Sequence, residues 1–384
     1  MTQTTPTNII VWDWPTRLFH WLLVATFGIA FATSGDDPLL RVHLWSGFLF
    51  FGLIVFRIVW GFIGTRYARF SDFVASPAHV IAHIIGVLHR RPQRFLGHNP
   101  AGGWAILLLL GLGFLLALFG FLVLGGQEGY GLFAGLLTFA QGHQAMEIHE
   151  AICFSMLALI GIHWAGVIVE SFLHRENLVA AMFHGRKRVE NVAPSPNSVP
   201  THAKLAIVIA LGALVTPTVF LLSMDSKPLW ANNPGLKITH TWEVACGECH
   251  LPFSPSLLPS RSWEALLAGE EDHFGDILAL KPETKEALRQ SFTGHSAEDE
   301  PTEAAYQINH SVQKNQTPQR ISDTPYWRKK HRNIDVETWK NKDMGKARCD
   351  GCHADAKEGI FDDRAITWHA PFNAQSKQSP ENGR

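Results

Sequence analysis

Five apolar stretches limit what this chain can become. A helix crossing a bilayer needs about 20 mostly apolar residues. Residues 18–33, 43–63, 104–124, 148–172 and 205–222 approach or meet that length. The first is slightly short unless Trp12 and Trp14 extend it as an interfacial belt, and Pro217 is an expected kink in the fifth. The spans show no internal repeat. Residues 1–11 lack a basic region, so no cleavable signal peptide is expected there.

Charge divides the chain in two. Residues 1–224 carry 13 Lys+Arg and 10 Asp+Glu, whereas the shorter 225–384 segment carries 20 and 24. Only the second half has the charge density of a soluble domain, about 25%. A single soluble globule and a long disordered chain are both excluded. The net charge of −1 offers no basic surplus for nucleic acid. Arginines and lysines gather after span two (Arg66, Arg69, Arg90, Arg91, Arg94) and after span four (Arg175, Arg186, Lys187, Arg188, Lys204). The loop after span one has Arg41 beside Asp36 and Asp37, and residues 125–147 have no Lys or Arg. The positive-inside rule then predicts a cytoplasmic amino terminus. Five spans would place residues 225–384 outside, in the periplasm of a bacterial inner membrane. Pro194, Pro196 and Pro200 read as a linker before span five.

Four of the five cysteines define the cofactor class. They form Cys246-Gly-Glu-Cys249-His250 and Cys349-Asp-Gly-Cys352-His353, two C-x-x-C-H motifs of covalent c-type haem attachment. Two thiols one helical turn apart can bond the two vinyl groups of one porphyrin, and the adjacent His reaches the iron. A shared structural zinc, disulfides and a thioredoxin-like pair are the competing readings. Against one zinc, the pairs lie 100 residues apart and each is followed by His. Cys153, inside span four, reads as a small packing residue.

Each c-haem iron needs a sixth ligand. Met344 is the only methionine after residue 225, so at least one iron uses another group. His240, His273, His295, His310, His331 and His369 remain. His273 and His331 follow helical patterns and have aromatic neighbours. The other four sit in polar, turn-rich sequence and read as surface residues.

Ionisable residues inside membrane spans are costly and default to a functional reading. His20, His43, His149 and His163 lie in spans one, two and four. Fourteen residues separate His149 from His163, a rise of about 21 Å and nearly four turns, so both face the same way. Following span direction, His20 and His163 fall near one surface and His43 and His149 near the other. Each pair can clamp a b-type haem between helices, with irons about 20 Å apart. Arg57 lies on the His43 face of span two at the inner level, where it is expected to meet a haem propionate; a snorkelling arginine is the competing reading. Gly47 could leave room for a porphyrin face, or serve close helix packing. His79 and His83 suggest an amphipathic interfacial helix. His174 and His184 read as solvent-facing.

Residues 9–190 resemble the bacterial cytochrome b561 family, including the cytochrome b subunits of nickel-iron hydrogenases. The resemblance rests on Val11-Trp-Asp-Trp-Pro-Thr-Arg-Leu-Phe-His20-Trp, Arg57-Ile-Val-Trp-Gly-Phe-Ile-Gly, Ala68-Arg-Phe-Ser-Asp-Phe, Gly97-His-Asn-Pro-Ala-Gly and His149/His163. It implies two b haems in a four-helix bundle, with His20, His43, His149 and His163 as ligands. Residues 240–365 resemble the dihaem cytochrome c family through both C-x-x-C-H motifs, Leu257-Leu-Pro-Ser-Arg-Ser-Trp263, Asp272-His-Phe-Gly275 and Thr324-Pro-Tyr-Trp-Arg-Lys-Lys-His331. That resemblance implies bis-His ligation and favours His273 and His331 as distal ligands, without saying which serves which haem. Span five looks like a signal sequence kept as an anchor.

These readings predict an all-α membrane protein. Residues 1–190 form the di-haem b bundle, 191–224 the linker and fifth helix, and 225–384 a mostly α or irregular dihaem c domain outside the membrane. The expected function is electron transfer between the quinone/quinol pool and a periplasmic cytochrome or other redox protein, through two b haems and two c haems. Three alternatives stay open: a periplasmic, hydrogenase-like donor reducing quinone; a superoxide-oxidising cytochrome b; and a zinc- or disulfide-held outer module on a b-type anchor. A homodimer stays open as the assembly.

Overall fold

The computed structural model describes residues 7–35, 39–189, 240–247, 249–340 and 346–367, together with 208, 211, 212, 215, 218–220 and 222. Asp36, Asp37, the proline linker, Pro217, Met344 and His369 lie outside the described residues, as does the side chain of His240. The chain divides into two compact units: Met1–Val123 with Gln144–Ser226, and Leu124–His143 with Lys227–Arg384.

In the first unit, α1 (Trp14–Ala32) starts at Asp13, whose Oδ1 accepts a hydrogen bond from the Thr16 backbone N–H at 2.8 Å. Its Oδ2 accepts from Trp60 Nε1 (3.1 Å) and Thr65 Oγ1 (2.6 Å), so one N-cap also ties α1 to the end of α2 (Leu40–Ile63). After a short α3 (Phe70–Phe73) comes α4 (Pro77–Leu88), then α5 (Pro100–Gly126) and α6 (Phe139–His174). Among the described residues, α1, α2, α5 and α6 are long and apolar enough to cross a membrane. The described residues of the fifth span, 208, 211, 212, 215, 218–220 and 222, are helical.

The bundle core joins Phe19 of α1, Phe50, Ile54 and Trp60 of α2, Leu110 and Leu116 of α5, and Met156 of α6, with Cys153 packed against it. Large apolar side chains on the far side of α6, including Phe154, Trp164 and Phe172, are exposed, as a lipid-facing surface requires. The α6 helix begins well before the expected residue 148. A capping signal explains this: Thr138 N–H donates to Gln141 Oε1 (3.0 Å) and Gln141 N–H to Thr138 Oγ1 (3.3 Å).

The amphipathic helix expected around His79 and His83 is present as α4, with an outward apolar face and His83 turned inward. Ile81, Ile84, Ile85 and Leu88 are exposed while His83 is buried. The amino-terminal strand is a further feature that hydropathy did not anticipate. Thr7–Ile10 pairs antiparallel with Arg186–Val189, after α7 (Leu178–His184). Gly185 makes this join: at φ 79° it ends α7 in the left-handed region, and its carbonyl accepts from Val11 N–H (2.8 Å) and Trp12 N–H (3.1 Å).

The second unit is built from short helices, including Ser260–Ala268, Pro282–Phe292 and Glu303–Ser311. One core packs Trp242, Leu258, Trp263, Leu267, Leu288 and Phe292, and a second joins Leu257, Ala297, Ala304, Ile308 and Val312. Trp263 stacks on Phe292 at 4.7 Å and donates from Nε1 to Pro255 O (2.8 Å), which satisfies its buried polar edge.

Candidate metal centres

The folded chain brings histidines together in facing pairs. His43 of α2 and His149 of α6 have ring centroids 6.3 Å apart. His250 and His273 are 6.3 Å apart, and His331 and His353 are 6.2 Å apart. An imidazole nitrogen sits about 1.2 Å from its ring centre, and nitrogen–metal bonds run about 2.0–2.1 Å. Two imidazoles on opposite sides of one metal ion therefore place their centroids about 6.4–6.6 Å apart. All three pairs match that spacing closely. His20 of α1 also lies within electrostatic reach of His163 of α6, its partner in the span-depth argument.

Hydrogen bonds orient these rings. His43 Nδ1 pairs with Ala30 O (2.8 Å) and His149 Nδ1 with Leu116 O (2.9 Å). His250 Nδ1 pairs with Leu251 O (2.7 Å) and His331 Nδ1 with Trp327 O (2.9 Å). A carbonyl partner keeps the proton on Nδ1 and leaves Nε2 as the free lone pair, the arrangement typical of ligating histidines. Gly120 stands against His149: a Cβ there would meet the ring's Cε1 at 3.2 Å. Where Gly47 would carry a Cβ there is no atom within 4 Å.

Around His20 and His163 the polar atoms are left wanting partners. His20 Nδ1, Trp21 Nε1, Arg57 Nη1 and His98 Nδ1 are all buried without a hydrogen bond. The Arg57 side chain does not snorkel: the residue is 3% exposed, with its guanidinium 5.4 Å from the Phe70 ring centre. A buried guanidinium with an unpaired N–H is strongly unfavourable unless an anion completes it. Haem propionates are such anions. His98 had no role assigned from the sequence, although Gly97-His-Asn-Pro was among the family-like motifs. Its ring lies 4.5 Å from Trp12 and 4.6 Å from Phe73. Burial, and then neighbouring Arg57, Lys187 and His163, pull its imidazole down to about 3, so it is neutral at physiological pH.

In the second unit the motif Cys349–His353 is one tight turn: the N–H groups of Cys352 and His353 both donate to Cys349 O, at 3.1 and 2.8 Å. This turn keeps the two cysteines and the histidine on one short stretch of backbone. Burial pushes the thiols of Cys246 and Cys349 up to about 11 and about 12. Such thiols are poor thiolate nucleophiles, which counts against a thioredoxin-like pair. All five cysteines are free. Among the described residues no three His, Cys, Asp or Glu side chains converge as a metal site, which disfavours one zinc shared by both motifs. His273, His331 and His353 are all held below the usual imidazole range, chiefly by burial. The neutral ring is the form that ligates a metal. Trp327 stacks on His331 at 4.3 Å with Trp339 beyond it, giving that centre an aromatic wall.

The donor sets, the orphaned nitrogens and the C-x-x-C-H turns thus fit haem. One sequence expectation needs correction. His174 is not solvent-facing: its side chain is 15% exposed, with Nε2 3.0 Å from Glu170 Oε2. His295 lies at the surface as expected, its side chain 43% exposed, and pairs through Nδ1 with the buried Glu300 Oε1 at 2.9 Å. His310 and His184 are exposed, as expected.

Comparison with known proteins accounts for both units. Residues 11–185 match the family model for prokaryotic cytochrome b561, and residues 242–361 match that for dihaem cytochrome c. The chain is 22% identical over 212 residues to a "Probable Ni/Fe-hydrogenase B-type cytochrome subunit" of Rhizobium leguminosarum bv. viciae, covering 47% of this chain and 89% of that protein. It is 24% identical over 211 residues to a "Probable Ni/Fe-hydrogenase 1 B-type cytochrome subunit" of Escherichia coli (strain K12), covering 46% and 88%. Solved dihaem cytochromes c from Rhodobacter sphaeroides and Shewanella baltica are each 27% identical, with TM-scores of 0.29 and 0.27. They cover 32% and 33% of this chain and 96% and 89% of their own. The chain is an integral membrane electron-transfer protein whose residues 11–185 are similar to prokaryotic cytochrome b561 and whose residues 242–361 are similar to dihaem cytochrome c.

Proposed function

We propose that this protein carries electrons between the membrane quinone pool and a periplasmic redox protein through two b haems and two c haems. The observation that carries this reading is the set of facing imidazoles at 6.2–6.3 Å, two of whose pairs include the His of a C-x-x-C-H motif. His20 with His163 and His43 with His149 would hold the b haems. Cys246, Cys249 and His250 with His273 would hold one c haem, and Cys349, Cys352 and His353 with His331 the other. The haems supply reversible one-electron carriers, and bis-His ligation sets their potentials below those of His/Met centres.

The chain's own residues do the rest. Carbonyls of Ala30, Leu116, Leu251 and Trp327 fix the ring orientations. Arg57 offers a buried positive charge to propionates. The aromatic walls exclude water. The basic loops after α2 and α6 favour a cytoplasmic amino terminus, with 1–190 as the bundle, 191–224 as linker and fifth span, and 225–384 in the periplasm. The small periplasmic partner would be a cytochrome or comparable redox protein. The hydrogenase subunits among the relatives favour a second direction, from a periplasmic donor to quinone.

A haem stain on a denaturing gel, with a reduced-minus-oxidised spectrum of the purified full chain, tests the reading. Covalent haem with equal b and c content is expected; b haem alone would overturn it. Redox titration of every haem then separates the two directions.

A further inference from the structure

One buried ionisable cluster has no part in holding the haems. Glu170 of α6 is 7% exposed, and its carboxylate lies between two histidines. His83 Nε2 of α4 is 2.9 Å from Oε1, and His174 Nε2 is 3.0 Å from Oε2, within ion-pair distance though not aligned as a hydrogen bond. His83 is also 7% exposed, and its second nitrogen, Nδ1, is buried without a partner. The helix that carries it turns its isoleucines outward to place this one polar residue inside. Packing does not require such an arrangement, because replacing a buried ion pair by apolar residues is often neutral or stabilising.

The cluster is not sealed. A cleft lined by Arg94, Gly97, Asn99, Glu176 and Lys187 reaches Glu170 and His174. The titratable and charged groups around Glu170 are His83 from α4, Arg94 from the loop before α5, His174 and Glu176 from the end of α6, and Lys187 from the strand after α7. Opposite charges pair across the cleft, with Arg94 Nη2 3.3 Å from Glu176 Oε2. The wall segment Gly97–Asn99 leads inward, because His98 lies among Arg57, Lys187 and His163. The cleft wall thus continues toward the end of the bundle that carries the His20–His163 pair.

We propose that Glu170, held between His83 and His174, is a proton-exchange relay for quinone chemistry at that end of the bundle. The inference rests on the quinone reading above. A quinol that gives two electrons to the haem chain becomes quinone and sheds two protons, and the reverse reaction consumes two electrons and two protons. The carboxylate takes a proton from the quinone side, an imidazole passes it to the cleft, and water receives it. A carboxylate–imidazole pair suits this task because either member can hold the proton.

The test uses the full chain in membrane vesicles, reduced with a short-chain ubiquinol and followed at the b-haem band. Glu170→Gln keeps a side chain of the same shape and can still accept from His83, but it cannot take up a proton. The expected result is normal b-haem content and full reduction by dithionite. Quinol-driven reduction should be at least about tenfold slower, since positioned proton transfer typically contributes about 10²–10⁴-fold. The variant should also lose the wild-type pH profile and show a changed solvent isotope effect, readouts that a merely structural role would not move. If Glu170→Gln disturbs haem content, His174→Gln takes its place, with the same slowing expected. Reduction at the wild-type rate and pH profile, with haem intact, would overturn the relay alone. A wild-type protein whose b haems ignore the quinol would overturn the quinone reading and the relay with it.

Discussion

His43 of α2 and His149 of α6 face each other with ring centroids 6.3 Å apart, and each is steered by a carbonyl on a neighbouring transmembrane helix, Ala30 O of α1 and Leu116 O of α5. All four helices of the bundle thus contribute to one centre. Two supply the ligands and two supply the groups that aim them, a division common at metal sites.

The second pairing, His20 with His163, is independent of the first. Replacing His163 by Ala should remove one of two b haems and leave both c haems attached. The pyridine haemochrome ratio of b to c would fall from about 1:1 to about 1:2, since each pair holds one haem. Loss of both b haems from a folded bundle would count against the pairing.

Gly120 tests the outer pair without touching a ligand. Its missing Cβ would stand 3.2 Å from His149 Cε1, so a branched side chain must push the imidazole aside. Gly120→Val is expected to lose the b haem of that pair or shift its spectrum, while Gly120→Ala has a small effect. An unchanged spectrum in the valine variant would place the cofactor elsewhere.

Arg57 brings a buried positive charge to the end of the bundle that holds His98 and His163. A cation near haem favours the reduced form, so Arg57→Gln should lower the midpoint potential of one b haem. A unit charge within about 10 Å, at an effective dielectric near 20, corresponds to a shift on the order of tens of millivolts. Potentiometric titration checks both the direction and the restriction to one haem.

Glu300 gives the second unit a pH dependence of known sign. Burial first, and Asp299 also, hold its carboxyl above the usual range, against the pull of His295. The folded state therefore binds this proton more tightly than the unfolded chain does. The contribution is fully present below the ordinary carboxyl value of 4.5 and is lost as pH rises through the folded-state value. Thermal unfolding of the full chain, followed by near-ultraviolet circular dichroism from about pH 4 to 8, should show Glu300→Gln removing part of that loss.

Much of this architecture was legible in the residues. Hydropathy marks the spans because a bilayer tolerates few other ways to satisfy a backbone. The two C-x-x-C-H motifs mark the c-type centres because covalent attachment needs that spacing. The depth of His20, His43, His149 and His163 followed from helical rise alone, and α2 and α6 bring the outer two together as that argument requires. Hydropathy was silent on the strand pairing of Thr7–Ile10 with Arg186–Val189, because its partners lie at opposite ends of the first unit's described segment. It was also silent on the burial of His83 in α4, which only makes sense once Glu170 is known to face it.

From residue order alone came the spans, the haem-binding motifs and the candidate ligands, all set by local length, period and spacing. The tertiary structure decided the matching of His273 to His250 and of His331 to His353, the burial of Arg57, the place of His98 and the Glu170 cluster. Those are contacts between groups far apart in the chain, and only packing fixes which of them meet.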